Sequence, residues 1–582
     1  MTAFLPQYDP EPRQREASLN HSRAEYQYNH TYLSPLTMIE NVPFREEFSW
    51  RWLVSMGERV LQMVKNHVEW EGNAARSAEH KERHGLFSDL VRAATCDASG
   101  IVHVIKETLC SLPAEGRWES MEDFAAVFRA IGLTPIARDY HQDSVFAEMR
   151  VAGPNPLMLR RVNELDDRFP VTEDHLRTAL PNDSLQAAKE EGRLFLADYQ
   201  ILEDMENGSF AGTPKYVYAP LALFAVDKKT KRLVPIAIQC LQKPGPDNPI
   251  FTPDDDWNWL IAKTIVGIAD GNYHEAITHL GRTHLYVEPF VIATHRQLAP
   301  NHPLYLLMQP HFEGTLAINC IARKHLISDG GACDQMMGGT ILATRGLAAK
   351  GVQSYEFDKA PLPQRLKAQG LDNPALLPNY PYRDDALLYW EAIRQWVADY
   401  LALYYRGDAD VQGDTEVIHW FAELVSEDGG RVPGLKGNGA APTLAYLTDA
   451  VATVIFLCSV QHAAVNFPQY DLMSYVPNMP LAGYTLPPTR KKGGTLGDYL
   501  ALLPNRNATG LQVGLGYVLG SLHYTTLGQY GWRHFRDARV AKPLEAFEKR
   551  LWTIGKTIEE RNHNRRPYTF LVSSGIPQSI NV

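Results

Sequence analysis

The chain has 582 residues, enough for about four domains at ~150 residues each or for one large helical core. Its 45% hydrophobic and 10% aromatic content against 21% charged residues excludes a disordered chain. Lys+Arg 57 against Asp+Glu 67 gives a formal charge of −10, which argues against a protein that coats nucleic-acid phosphates.

The N-terminal Met-Thr-Ala-Phe-Leu-Pro meets proline and charge before any apolar run can form, so no signal peptide is expected. Pro, Tyr, Asn and charge dominate up to about residue 45. Phe48 to Asn66 and Phe87 to Leu112 then carry apolar residues at helical spacing. Strand-like runs follow at Leu194–Leu202, Lys215–Val226 and Leu233–Leu241, with Lys228-Lys229-Thr230-Lys231 as the turn between the last two. Asp254-Asp255-Asp256 stands where the start of a helix favours carboxylates, and Trp257–His284 continues without proline. Proline-rich loops at 299–310, 361–383 and 477–488 separate helices expected at about 384–405, 415–426, 443–470 and 535–562. Arg490-Lys491-Lys492 before Gly493-Gly494 reads as a solvated loop. The pattern predicts a mainly α fold with a small sheet. Ala450 to Val460, the longest clean apolar stretch, is short of the ~20 residues that span a bilayer. The six cysteines, Cys96, Cys110, Cys240, Cys320, Cys333 and Cys458, contain no C-x-x-C pair and suit reduced thiols. A cytoplasmic protein, at most peripherally bound to membrane, is expected.

Six of the twenty histidines lie between His274 and His311: His274, His279, His284, His295, His302 and His311. His279 and His284 are five apart, which an α-helix at ~100° per residue would set ~140° apart around its axis. A π-type turn, closing i→i+5, would bring both imidazoles to one side. Further on, His462 and Asn466 are four apart and share one α-helical face among apolar neighbours, where buried polar groups require partners. Three neutral imidazoles, a weak amide oxygen and at most one carboxylate suit a divalent transition metal such as iron, and tetrahedral zinc less well.

These residues resemble the lipoxygenases, non-haem iron dioxygenases of polyunsaturated fatty acids. The likeness runs through Leu194-Phe-Leu-Ala-Asp-Tyr199, Tyr218-Ala-Pro-Leu-Ala-Leu223, Leu233-Val-Pro-Ile-Ala-Ile238 and Trp259-Leu-Ile-Ala-Lys263. It continues through the array H-x4-H-x4-H-x17-H-x8-H from His274 to His311, Glu288-Pro-Phe-Val-Ile-Ala-Thr-His295 and Tyr380-Pro-Tyr-Arg-Asp-Asp385. His462-Ala-Ala-Val-Asn466 and the closing Gly575-Ile-Pro-Gln-Ser-Ile-Asn-Val582 complete it. The resemblance implies metal ligands at His279, His284, His462, Asn466 and the main-chain carboxylate of Val582. It places Glu275 and Gln469 in a hydrogen-bond network behind the amide ligand, and leaves His274, His302 and His311 with structural hydrogen bonds. Iron is the implied metal, with manganese a second candidate because the chain ends in valine.

The implied chemistry is hydrogen abstraction from a 1Z,4Z-pentadiene at a ferric hydroxide, followed by O2 addition to give a hydroperoxide. Polyunsaturated fatty acid and O2 are then the partners, with no protein partner required and no nucleic acid. Ala322 occupies the position that in relatives bears on O2 approach, and as alanine it implies S-configured products. Leu326 and Cys333 are expected to line the substrate pocket. The first ~150 residues lack the evenly spaced short strands of a β-sandwich lipid-binding domain. The expected organisation is therefore a helical extension at 1–150 packed on a catalytic domain at 151–582, as in bacterial members. A hydroperoxide isomerase built on the same metal site, and an inactive lipid-binding protein, are the alternative functions.

Overall fold

The computed structural model describes residues 3–72, 118–210, 212–435, 442–521 and 525–582. The helix expected at Phe87 to Leu112, with Cys96 and Cys110, lies outside the described residues. The described N-terminal residues carry two long helices. Helix α1 (Pro12–Glu25) opens on proline, whose missing N–H is no loss at a helix start. Helix α2 (Trp50–Gly72) covers the expected Phe48–Asn66 and continues beyond it. It buries Trp52, Met56, Val60, Met63 and Val64, a stripe at three- and four-residue spacing.

Five antiparallel strands follow: β1 (Arg160–Arg161), β2 (Leu194–Asp198), β3 (Leu221–Val226), β4 (Leu233–Gln239) and β5 (Ile250–Phe251), adjacent in that order. Alternate side chains enter different cores, as the two-residue period of a strand requires. Phe195, Ala197, Ala222, Phe224 and Val226 join the main helical core, while Leu194, Leu196, Leu221, Leu223 and Ala225 pack in a smaller cluster with Leu176 and Leu185. The register shifts where Leu223 pairs with Ala237 and Phe224 with Pro235, so Ile236 is the extra residue of a bulge. Such an irregularity accommodates a proline that lacks a ladder N–H.

Sequence boundaries need three corrections. Leu194–Leu202 is strand only to Asp198, because Gln200–Leu202 forms a 3-10 turn. The run from Lys215 begins as strand only at Leu221, just past Pro220, which cannot donate to a ladder. The third run stops at Gln239, whose side chain turns back onto the carbonyls of Arg168 and Leu241.

The helical body starts at a capping box in which Thr252 and Asp255 exchange hydrogen bonds. Helix α3 (Asp256–Tyr273) follows it, then a π segment His274–Leu285, then helix α4 (Tyr286–Gln297). The expected continuous α-helix to His284 is therefore interrupted from His274. Helices α5 (Thr315–Ile321), α6 (Ala332–Met336), α7 (Pro381–Leu401) and α8 (Thr415–Val425) pack around it. The helix expected at 443–470 is α9 (Leu444–Phe456), a π turn Leu457–Gln461, α10 (His462–Asn466) and a second π turn Gln469–Met473. Leu444–Met473 is long and apolar enough to cross a membrane, but 78% of its apolar window is buried inside the protein. It is a core helix. Helices α11 (Arg506–Gly520) and α12 (Ala541–Asn562) close the body.

Candidate metal centre

The π segment sets the geometry. With i→i+5 closure, residues five apart stack on one side, and His279 Nε2 lies 3.2 Å from His284 Nε2. Helix α10 brings His462 from the other long helix, its Nε2 3.2 Å from that of His284. One ring nitrogen from each of the three histidines lies within 4.8 Å of the others, and all three residues are buried. Two nitrogens binding one ion at ~2.1 Å and at right angles stand about 3 Å apart, so the spacing fits a shared ion.

Proton accounting tests the fit. The amide nitrogen of Asn319 donates to Glu288 Oε2 at 2.7 Å and to the His284 carbonyl at 3.0 Å, so its oxygen accepts from His284 Nδ1–H at 2.9 Å. Neutral His284 then has only a lone pair on Nε2, and it cannot donate to either neighbour. Burial, followed by repulsion from His279, pushes the His284 imidazole down to about 3. Burial also lowers His279, and His462 falls well below its ordinary value for the same reason, with both other histidines adding to the effect. Three buried rings, each favoured in its uncharged form, turn one nitrogen apiece toward a common point. Neutral imidazoles gathered in this way could hold a metal cation.

Asn466 and Gln469 stand together beside His462. Asn466 is fully buried, its amide nitrogen donating to the Leu519 carbonyl at 3.0 Å and its oxygen accepting from Gln469 Nε2 at 2.8 Å. One lone pair of that oxygen remains. Glu275 lies 3.3 Å from His274 Nδ1 and 3.9 Å from His279 Nδ1. Burial opposes its ionisation, yet the two imidazoles pull its carboxyl down to about 2. Val582 is 2% exposed, and its main chain acts on the His462 imidazole. Its tail is pinned along its length. Gln578 O accepts from His311 Nδ1 at 2.9 Å, Ile580 O from Thr315 Oγ1 at 3.0 Å and Asn581 O from Trp52 Nε1 at 2.7 Å.

The other histidines hold structure. His274 Nε2 donates to Val465 O at 2.8 Å, and His302 bridges Asp414 and the Leu304 N–H. An apolar cavity lies nearby, walled by Leu326, Ala332, Cys333, Met336, Met337, Met473, Leu481, Leu515 and Leu519. Glu275 and Gln469 also line it, which joins cavity and metal centre. Ala322 is buried at the head of the π turn Ala322–Leu326 and stands outside this lining. Asn319 and Glu288, which fix the His284 tautomer, were not singled out from sequence. Glu288 lies inside a quoted motif and Asn319 does not; they stand 31 positions apart, and only the fold pairs them.

A lipoxygenase family model matches residues 133–569, well over half of the chain. The chain is 40% identical over 489 residues to the linoleate 9/13-lipoxygenase of Pseudomonas aeruginosa, covering 80% of this chain and 70% of that protein. It is 35% identical over 484 residues to the human hydroperoxide isomerase ALOXE3, covering 81% and 67%. Among solved structures, a coral 8R-lipoxygenase matches with a TM-score of 0.84 at 30% identity, covering 100% of this chain and 83% of that one. With this fold, these matches and three histidines that could hold a metal, the chain belongs to the lipoxygenase family.

Proposed function

We propose that this protein is a dioxygenase that converts 1Z,4Z-pentadiene fatty acids to hydroperoxides, with iron held by His279, His284, His462, Asn466 and the main-chain carboxylate of Val582. The observation that carries the reading is the cluster of three buried histidines next to Glu275, a residue that also lines an apolar cavity. When bound, iron supplies one-electron chemistry that takes a hydrogen atom from the bis-allylic methylene, leaving a pentadienyl radical to which O2 adds.

The protein's own residues do the rest. His279, His284 and His462 offer neutral nitrogen lone pairs, and Asn319 holds His284 in the tautomer that frees Nε2. Gln469 Nε2 grips Asn466 through both its main-chain and side-chain oxygens and so orients the amide. Leu326, Met336, Met337, Leu515 and Leu519 give the acyl chain an apolar bed and keep water from the radical. The unbranched methionines adjust to chain kinks. Valine in place of another terminal residue changes only packing, so nothing in the donor set favours manganese.

Metal analysis combined with product identification on linoleic, α-linolenic and arachidonic acids tests the proposal. Wild type should contain close to one iron per chain and form conjugated dienes. His284→Ala should lose both; an alanine variant with full metal and activity defeats the assignment. The S configuration rests on Ala322, and Ala322→Gly should enrich R-hydroperoxides by chiral chromatography. An unchanged enantiomer ratio removes Ala322 from the argument.

A second reading, hydroperoxide isomerisation, is favoured by the 35% identity to a protein named for that activity. Oxygen uptake with free fatty acid, set against turnover of a supplied hydroperoxide, separates the two.

A further inference from the structure

Lys215 is fully buried, and among the described residues its ammonium makes no ion pair with a carboxylate. Lys263, the other buried lysine among the described residues, behaves conventionally, with Nζ 2.7 Å from Asp143 Oδ1. A charge taken out of water without a counter-charge is costly, so its neighbours must repay it with oriented dipoles. Lys215 Nζ donates to two main-chain carbonyls, Asp334 O at 2.5 Å and Gln335 O at 3.3 Å. Both belong to the last turn of α6, where carbonyls lack helical partners and the helix dipole favours a cation.

Helix α6 is only five residues long and is flanked by Gly330-Gly331 and Gly338-Gly339. A helix this short does not hold itself and takes its position from tertiary contacts. The segment after it is tied down by the Gly208 N–H on Gly338 O at 2.9 Å and the Gly338 N–H on Asn272 Oδ1 at 3.2 Å. On the turn itself, Lys215 supplies a hydrogen-bonded anchor from a distant part of the chain. The face of α6 that matters is the one toward the metal centre: Ala332, Cys333 and Met336, with Met337 just beyond, form one wall of the apolar cavity.

We propose that Lys215 is a specificity-positioning residue: by clamping α6 from behind, its buried ammonium fixes the wall against which the acyl chain rests and so sets which pentadiene carbon receives oxygen. This rests on the reading of the cavity as the fatty-acid site. Lys215 does not touch the metal centre and acts through the main chain of α6. Removing the clamp lets a single turn shift or loosen, which changes chain depth while the histidines stay in place.

Burial brings the Lys215 ammonium down to about 8, opposed by the Asp334 carboxylate and the Cys333 thiol, both on α6. Cys333 is itself pushed up to about 12, chiefly by burial, and stays a neutral thiol. The clamp is thus charged at pH 7 and largely discharged at pH 9, where its hydrogen bonds to the carbonyls lose their charge assistance.

The test uses methyl linoleate, a substrate that does not titrate, with wild type and Lys215→Met at pH 7 and pH 9. The readout is the ratio of 9- to 13-hydroperoxide, with iron content and melting temperature measured alongside. Lys215→Met should keep its iron and shift the ratio at least about threefold at pH 7. Wild type should drift in the same direction between pH 7 and pH 9, and the variant should not respond to pH. A folded, iron-loaded variant with the wild-type ratio overturns the inference. If the variant fails to fold, a wild-type ratio that is constant from pH 7 to pH 9 overturns it instead. A wild type that makes no hydroperoxide overturns the functional reading itself, and the inference with it.

Discussion

Glu288 shows how one residue ties two distant parts of this molecule to the metal centre. Its carboxyl is fully buried and accepts from the Ile39 main-chain N–H at 2.6 Å and from Asn319 Nδ2 at 2.7 Å, with no cation paired to it among the described residues. Burial pushes it up to about 7 from an ordinary 4.5, while those two donors and Arg323 pull the other way. At this group the folded state therefore holds a proton that the unfolded chain releases, and its contribution to stability falls as pH rises from about 4.5 to 7 and levels off above. At 1.36 kcal/mol per pKa unit the loss is ~3 kcal/mol. Glu288→Gln should remove that contribution, so that the stability change between pH 5 and pH 8 in urea titrations becomes less negative in the variant than in wild type, whatever its effect on absolute stability. An equal slope in the variant assigns the pH dependence elsewhere. At this scale the sequence was most legible where spacing itself is chemical. The five-position spacing of His279 and His284 excludes an α-helical pair, whereas nothing about Asn319 or Lys215 announces partners that only the fold supplies.

Elements are joined here through buried polar junctions as well as through apolar packing. Asp270 on α3 is fully buried and pairs with Arg150 Nη1 at 2.8 Å, accepts from Tyr199 Oη at 2.7 Å and from Asn155 Nδ2 at 2.9 Å. That junction locks the helix carrying the metal-site segment to the end of β2 and to the helix Asp143–Ala152. Asp270→Asn would strand the Arg150 guanidinium without its counter-charge, and a loss of about 3–5 kcal/mol is expected. Arg150→Met with Asp270→Leu should lose much less, because both charges go together. Denaturant midpoints for the single and double variants measure the difference, and a double variant no better than Asp270→Asn refutes the explanation. The elements themselves were readable because strand and helix periods leave different marks on sequence. Their ends were harder: Pro220 delayed β3, and the helix through His284 changes to π at His274, since both depend on hydrogen bonds that hydrophobic pattern does not encode.

At the scale of the whole molecule, the chain's last residues thread into its centre. Ile576 and Gln578 to Val582 are all buried, gripped by Trp52 from α2 and by Thr315 at the start of α5. Adding one glycine after Val582 should displace the closing carboxylate from beside His462 and lower iron content at least about tenfold without changing helical content. An extended protein that keeps its iron and its rate excludes Val582 as a donor. The α2 grip also makes the N-terminal region part of the site's support: Leu5, Tyr26, Trp52 and Phe124 share one continuous core with Leu285, Leu457 and Val582. By itself the sequence determined what is local: the main helices and strands and the π-type spacing of His279 and His284, because these follow from periodicity, while the choice of metal donors came from the family resemblance. Only the tertiary structure decided which donors meet, which proton each imidazole keeps and what stands behind the cavity wall. Those outcomes depend on contacts between residues tens to hundreds of positions apart, whose free energy exists only once the chain has closed around them.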